Sequence, residues 1–253
     1  MNGFTWPVAV KGYEWREYPD GVGTFWGLYP IQKWPVRHYE PLKEYTGLFW
    51  TFAKVEPTKE GVLAFANQFG VLGAGPMVEM LKDTRRIEAG LSGDRLEDWE
   101  REIPHVRKAI ALWERTQRGE VTDQEVQVLQ HGLNQKLLHT VSVHLVPDVR
   151  HGGLTLRMRP FTLRGALWLQ LAEAVSGNKE FRSCPTCGKW FELNPDTART
   201  NRQFCSDACR TRAYRGRKEQ AQKLAKEGKS IKEIAAEVDS DVKTVKGWIQ
   251  SQQ

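Results

Sequence analysis

Every cysteine in the chain of 253 residues lies between positions 184 and 209. The order is Cys184, two residues, Cys187, then a gap of seventeen residues, then Cys205, three residues and Cys209. Thiolates are metal ligands, and two close pairs joined by a returning loop can bring four sulfurs tetrahedrally around one Zn²⁺. In CPTCG, Pro185 and Gly188 supply the bent backbone that a chelating turn needs. KWFEL predicts a strand closing a short hairpin, and FCSDAC predicts entry into a helix capped by Ser206. Cys205 and Cys209 then stand one turn apart at that helix's N-terminus, whose partial positive charge favours thiolate. Four cysteines close the coordination sphere and leave no position for a catalytic water, so the expected metal is one structural zinc, and the segment is expected to fold only with it. The six histidines are scattered between residues 38 and 151 and form no metal-spaced pair with a nearby carboxylate. They are expected to be ordinary core or surface residues.

Basic residues follow the cysteines at once. The formal net charge is +6, and residues 179–253 hold 16 Lys and Arg against 10 Asp and Glu, so the excess sits wholly in that segment. Within residues 197–218, Arg199, Arg202, Arg210, Arg212, Arg215, Arg217 and Lys218 face the single acid Asp207. A cluster of this kind is the electrostatic footprint of a polyanion-binding surface, although a bare charge run is also what a solvated helix face looks like.

The cysteine spacing, with FCS before the third ligand and a basic helix after the fourth, resembles the treble-clef-like zinc fingers of bacterial CGNR-type proteins. Cys209 and Arg212 match the first and last residues of that family's naming tetrad, and Arg210 and Thr211 stand where it has Gly and Asn. The resemblance covers roughly residues 160–217 and implies nucleic-acid binding and transcription regulation.

The elements beyond must present this cluster. Ser230 with Glu233 forms a capping-box pattern that predicts a short helix over 231–238. Gly228 ends the helix before it, expected from Ser206 to Glu227. Asp241 caps a further helix running to about Gln250. Ala235, the turn at Asp239, and Val245 with Ile249 fall at the spacings of a helix-turn-helix, and GKSIKEIAAEVDSDVKTVKGWI resembles the three-helix units of resolvases and sigma-factor-like regulators. The outward residues of the last helix are expected at Lys243, Thr244, Lys246, Gly247 and Gln250. Gln can pair with adenine, Thr can touch a thymine methyl, and Lys can reach guanine or phosphate.

Upstream, residues 1–45 are rich in aromatics and Gly, and Pro at 7, 19, 30, 35 and 41 forbids a long helix, so irregular chain or short strands are expected. Helical patterns follow, one of them (LEDWEREIPHVRKAIALWERTQRG) expected to break at Pro104. TVSVHLVP and GLTLRMRP alternate as two antiparallel strands around DVRHGG. Trp26, Trp34, Trp50, Trp99, Trp113 and Trp168 are expected in the core. GVLGAGPM lacks the context of a phosphate loop, and no nucleophile elbow or other catalytic signature is present, so no enzyme activity is expected.

The expected fold class is α+β. Residues 1–178 form a mostly helical domain with a β-hairpin, residues 179–217 a four-cysteine treble-clef-like zinc finger with a basic helix, and residues 218–253 a three-helix helix-turn-helix. The expected function is zinc-dependent, sequence-specific binding of double-stranded DNA in transcription regulation. A homodimer through the N-terminal domain, or the arginine helix, would widen the site, and a small-molecule or protein effector would act on residues 1–178. No apolar run is long enough to span a membrane and no secretory leader is visible, so a cytoplasmic location is expected. Two other readings stay open: an RNA-binding or ribosome-associated zinc protein, and an enzyme or antiphage effector whose site lies in residues 1–178.

Overall fold

The computed structural model describes residues 4–19, 24–73, 93–148, 152–193 and 201–250, and is mixed α+β. Two compact units are present: Met1–Phe181 with Glu192–Asn194, and Arg182–Phe191 with Pro195–Gln253.

In the first unit the aromatic and proline-rich start forms short strands. β1 (Trp6–Ala9) pairs antiparallel with β4 (Val36–Tyr39), and β2 (Tyr13–Pro19) with β3 (Thr24–Pro30), whose other edge takes β5 (Asp94–Arg95). The prolines are placed where a missing N–H is tolerated: Pro19 and Pro30 end strands, and Pro41 opens α1 (Pro41–Glu44). Then come α2 (Leu48–Ala53), α3 (Lys59–Phe69), α4 (Leu96–Gln117), α5 (Asp123–Leu138), the hairpin β6 (Val141–Pro147) and β7 (Leu154–Pro160), and α6 (Leu163–Ser176). Threonine side chains cap three of these helices: Thr58 caps α3, Thr162 caps α6, and Thr122 with Glu125 forms a complete capping box on α5.

One expected break does not occur. α4 runs unbroken through Pro104. Proline removes one intrahelical bond, but both Pro104 and Glu100, whose carbonyl loses its partner, are on the solvent side. Trp99, Ile103, Val106, Ile110 and Trp113 meanwhile anchor the other face in the core. The tryptophans also divide. Trp99, Trp113 and Trp168 are buried, Trp50 and Trp26 half-buried, and Trp34, in the connection between β3 and β4, is 57% exposed.

Among the described residues the core holds two acidic side chains that sequence pattern does not announce, Asp94 and Glu102. Glu102 is buried and accepts from the Trp168 indole N–H and from Lys136 Nζ, both of whose contacts to the carboxylate are 3.0 Å. The three residues come from α4, α5 and α6, so the pair ties three helices where a lone carboxylate would be costly.

The β6–β7 register sets Val143 opposite Met158, Leu145 opposite Leu156 and Pro147 opposite Leu154, which places these apolar residues on one face of the ribbon. The other face carries the pairs Ser142–Arg159 and His144–Arg157. Val143, Leu145, Leu154 and Leu156 are each more than 60% exposed.

In the second unit, α7 (Asp207–Lys226), α8 (Ile231–Glu237) and α9 (Val242–Gln250) surround a small core of Ala221, Leu224, Ile234, Ala235, Val238, Val245 and Trp248. Gly228 adopts φ +85° just past α7, the left-handed stop that glycine permits. Ser230 and Glu233 form the capping box of α8. Asp239 takes φ +48° between α8 and α9, a conformation that Asp tolerates better than most residues. β8 (Glu180–Ser183) pairs with β9 (Trp190–Leu193) as the hairpin that leads to the cysteines. Among the described residues, no helix is long and apolar enough to cross a membrane.

Candidate metal centre

The β8–β9 hairpin holds Cys184 and Cys187 in its turn. Cys184 N–H donates to the Lys189 carbonyl at 3.0 Å, and Gly188, at φ +70°, donates its N–H back to the Cys184 carbonyl at 2.8 Å. The second pair sits at the start of α7. Ser206 caps that helix by accepting the Cys209 N–H at 3.3 Å, and Thr186 Oγ1 donates to the Cys209 carbonyl at 3.3 Å, linking the turn to the helix.

These supports bring the four sulfurs together. All lie within 4.8 Å of one another, with Cys187 Sγ 3.5 Å and Cys209 Sγ 3.6 Å from Cys205 Sγ. Thiolates about 2.3 Å from a tetrahedral ion stand roughly 3.8 Å apart, so the donor set fits a four-sulfur metal site. Among the described residues, no other group of three or more His, Cys, Asp or Glu side chains is close enough to hold an ion.

The charges in the cluster are uneven. Burial pushes the Cys184 thiol up, but backbone amides at Cys205, Thr186 and Cys187 outweigh it and bring the group down to about 6. Cys205 is pushed up to about 12, by burial first and then by the thiols of Cys187, Cys209 and Cys184 facing it. Burial likewise raises Cys187. Four sulfurs this close resist ionising together, and a divalent cation at their centre reverses that preference.

Arg202 belongs to this centre. Its guanidinium donates to the Phe204 carbonyl at 2.9 Å and to the Cys205 carbonyl, and lies 5.0 Å from the centroid of the Phe191 ring. The side chain expected on the polyanion surface thus also braces the loop that carries the third sulfur. Nothing in the sequence pattern separates it from the other arginines, because its partners are backbone carbonyls.

No protein-family model matches the chain, and no curated protein matches it.

The remaining basic candidates are arranged by helix geometry. At about 100° per residue, Arg210, Arg217 and Lys218 share the side of α7 that carries Tyr214 and the core residue Ala221, whereas Arg212 falls on the opposite side and Arg215 on the flank. Arg210 pairs with Asp207 at 3.1 Å, both well exposed. Such a pair is worth little in water and leaves the guanidinium available. Arg199 lies outside the described residues.

On α9, Lys243, Lys246, Gly247 and Gln250 are exposed and lie opposite the buried Val245 and Trp248. Thr244 sits apart from them, half-buried on the flank. Its hydroxyl donates to the Asp241 carboxylate at 2.5 Å and its N–H to the same group at 2.8 Å, so it helps to cap α9. These bonds hold the Asp241 carboxyl below its ordinary range, the hydroxyl contributing first. A Cβ added at Gly247 would meet no atom within 4 Å, which makes this the point where a partner can come closest to the backbone. Tyr214 is the residue that sequence reading missed. It packs edge-on against Trp248 and accepts its indole N–H at 2.7 Å. Its place four residues after Arg210 and three before Arg217 was the available signal.

Proposed function

We propose that this protein is a zinc-stabilised, sequence-specific reader of duplex DNA that acts in transcription regulation, with α8 and α9 as a helix-turn-helix and α9 in the major groove. One zinc ion held by Cys184, Cys187, Cys205 and Cys209 would serve structure alone, because four thiolates complete its tetrahedral set. The carrying observation is the exposed face of α9, where Lys243, Lys246, Gly247 and Gln250 stand together away from the core. Glycine within a helix costs about 1 kcal/mol relative to alanine, so an open Gly247 on that face suits a surface that must approach another backbone. The cysteine spacing shared with CGNR-type fingers supports the same reading, as does the basic side of α7. No reaction is part of the proposal, and the expected location is the cytoplasm.

Incubating zinc-loaded protein with a random duplex pool and sequencing the retained fraction tests it. A discrete motif is expected, lost in the Lys243→Ala/Lys246→Ala variant. Gly247→Ala is expected to raise the melting stability of α9 by about 0.5–1 kcal/mol while weakening retention. Retention without any motif would sink sequence-specific reading and point to the RNA alternative.

A helix-turn-helix monomer covers few base pairs, and two-fold proteins read two half-sites about one helical turn apart. We place the two-fold contact on the apolar face of β6–β7, where a second copy can cover Val143, Leu145, Leu154, Leu156 and Met158. Each such side chain contributes about 1.5–3 kcal/mol when fully buried, and the face has no charged residue in its register to oppose a self-complementary contact. Light scattering is expected to find a dimer that Leu145→Glu/Leu156→Glu converts to monomer; an unchanged mass would place the contact elsewhere. An effector of ordinary ligand size is a poor fit to the recess beside Trp6, His38, Arg159 and Phe161, whose volume of about 100 Å³ falls below the roughly 300–1,000 Å³ of small-molecule sites.

A further inference from the structure

On the side of α7 that carries Tyr214, the residues Arg210, Thr211, Tyr214 and Arg217 line an open recess of about 320 Å³. Its chemistry is one-sided. Two guanidiniums can only donate, and a hydroxyl that already accepts a hydrogen bond turns its own proton outward. Tyr214 Oη is in that state, because it accepts the Trp248 indole N–H at 2.7 Å. Arg217 Nε–H is buried without a hydrogen-bond partner among the described residues. A buried donor without an acceptor is costly, and here it belongs to a cation, so the acceptor that would relieve it most is an anion. The carboxylate of Asp207, 3.1 Å from Arg210, is the acidic group nearby, and it is 90% exposed and easily displaced.

We infer that this recess binds one phosphate group, held by Arg210 and Arg217 with the Tyr214 hydroxyl as a further donor. Resting on the duplex-DNA reading above, its source is a backbone phosphate beside the groove that α9 enters. The Tyr214–Trp248 bond then fixes that phosphate relative to the exposed face of α9, because Trp248 is rooted in the core of the three helices. Phosphate contacts of this kind set register and not sequence.

Two measurements on the full-length, zinc-loaded protein test this. In the first, inorganic phosphate is titrated into ¹⁵N-labelled protein while the Arg217 Nε–H and Trp248 Nε1–H resonances are followed. A saturable shift, abolished in Arg210→Ala, is expected; unmoved resonances overturn the recess as a phosphate site, whatever the DNA results. In the second, the salt dependence of duplex binding is compared between variants. Arg210→Ala/Arg217→Ala is expected to make the log–log slope shallower by about 1, the contribution of one neutralised phosphate, while Arg118→Ala in the first unit leaves it unchanged. Equal slopes in wild type and double variant, or an equal loss from Arg118→Ala, overturn the duplex backbone as the source. If wild-type protein retains no duplex, the DNA reading falls, and the phosphate titration alone decides the recess.

Discussion

Chelating the proposed zinc ion is expected to unfold the hairpin turn and the first turns of α7 while leaving the first unit intact. The driving force is large: structural zinc contributes roughly 10–16 kcal/mol in small four-ligand domains near neutral pH, comparable with the whole stability of an ordinary domain at about 5–15 kcal/mol. What remains without it is thin. The hairpin offers two four-residue strands, and the three-helix core has seven buried side chains among the described residues. To stay folded without the ion, the segment would also have to keep the sulfurs in a cluster where Cys205 is held up to about 12 by burial and by its neighbouring thiols. The measurement is thiol counting under native conditions combined with hydrogen exchange. Zinc-loaded protein should show no rapidly reacting thiol. The chelated protein should show all four, together with lost protection across residues 184–215 and unchanged protection in α4 and α6. Protection that survives complete metal removal would mean that the four sulfurs do not hold this segment together.

Trp248→Ala is expected to unfold the three-helix core outright. Replacing a buried tryptophan or phenylalanine by alanine costs about 3–5 kcal/mol, and Trp248 is the largest residue in a cluster otherwise made of Ala, Leu, Ile and Val. The variant also leaves Tyr214 without its edge-on ring partner and the indole N–H that its hydroxyl accepts. Trp248→Phe keeps most of the apolar volume and forfeits the hydrogen bond, which is worth about 1 kcal/mol, so it should stay folded with a modestly lower melting temperature. Hydrogen exchange over residues 221–250 separates the two outcomes. A Trp248→Ala protein that keeps slow exchange in α8 and α9 would show that the helices are held from elsewhere.

What could be read from the sequence was mostly local. The Ser230–Glu233 box, the Ser206 cap, Gly228 past α7 and the turn at Asp239 all involve residues within a few positions of each other, and the structure has each of them. Cysteine spacing works over a longer range because a tetrahedral ion needs four donors from a limited stretch of chain. The pairing of β3 with β5 was hidden because the partners Gly27 and Arg95 are far apart in the chain and β5 is only two residues long. Glu102 reads as a polar position on an amphipathic helix, and its partners Lys136 and Trp168 lie 34 and 66 residues away. Pro104 misled because propensity speaks for the isolated helix, whereas the apolar face of α4 is held by tertiary packing. The arginines were counted as one cluster, yet helix geometry sends them to different sides, and Arg202 is engaged with carbonyls of its own loop.

α7 is a single rod of 20 residues, with Cys209 near one end and Ala221 and Leu224 in the three-helix core near the other. Its length therefore acts as a phase setting. One residue added between Tyr214 and Ala221 advances the core by only about 1.5 Å but turns it by about 100° relative to the sulfurs. Arg210 and Tyr214 would then face one direction and α9 another. Changes of seven residues restore the phase to within about 20°. Length variation in this segment is thus expected in heptad-sized steps, while the loops on either side of the rod are free of that constraint.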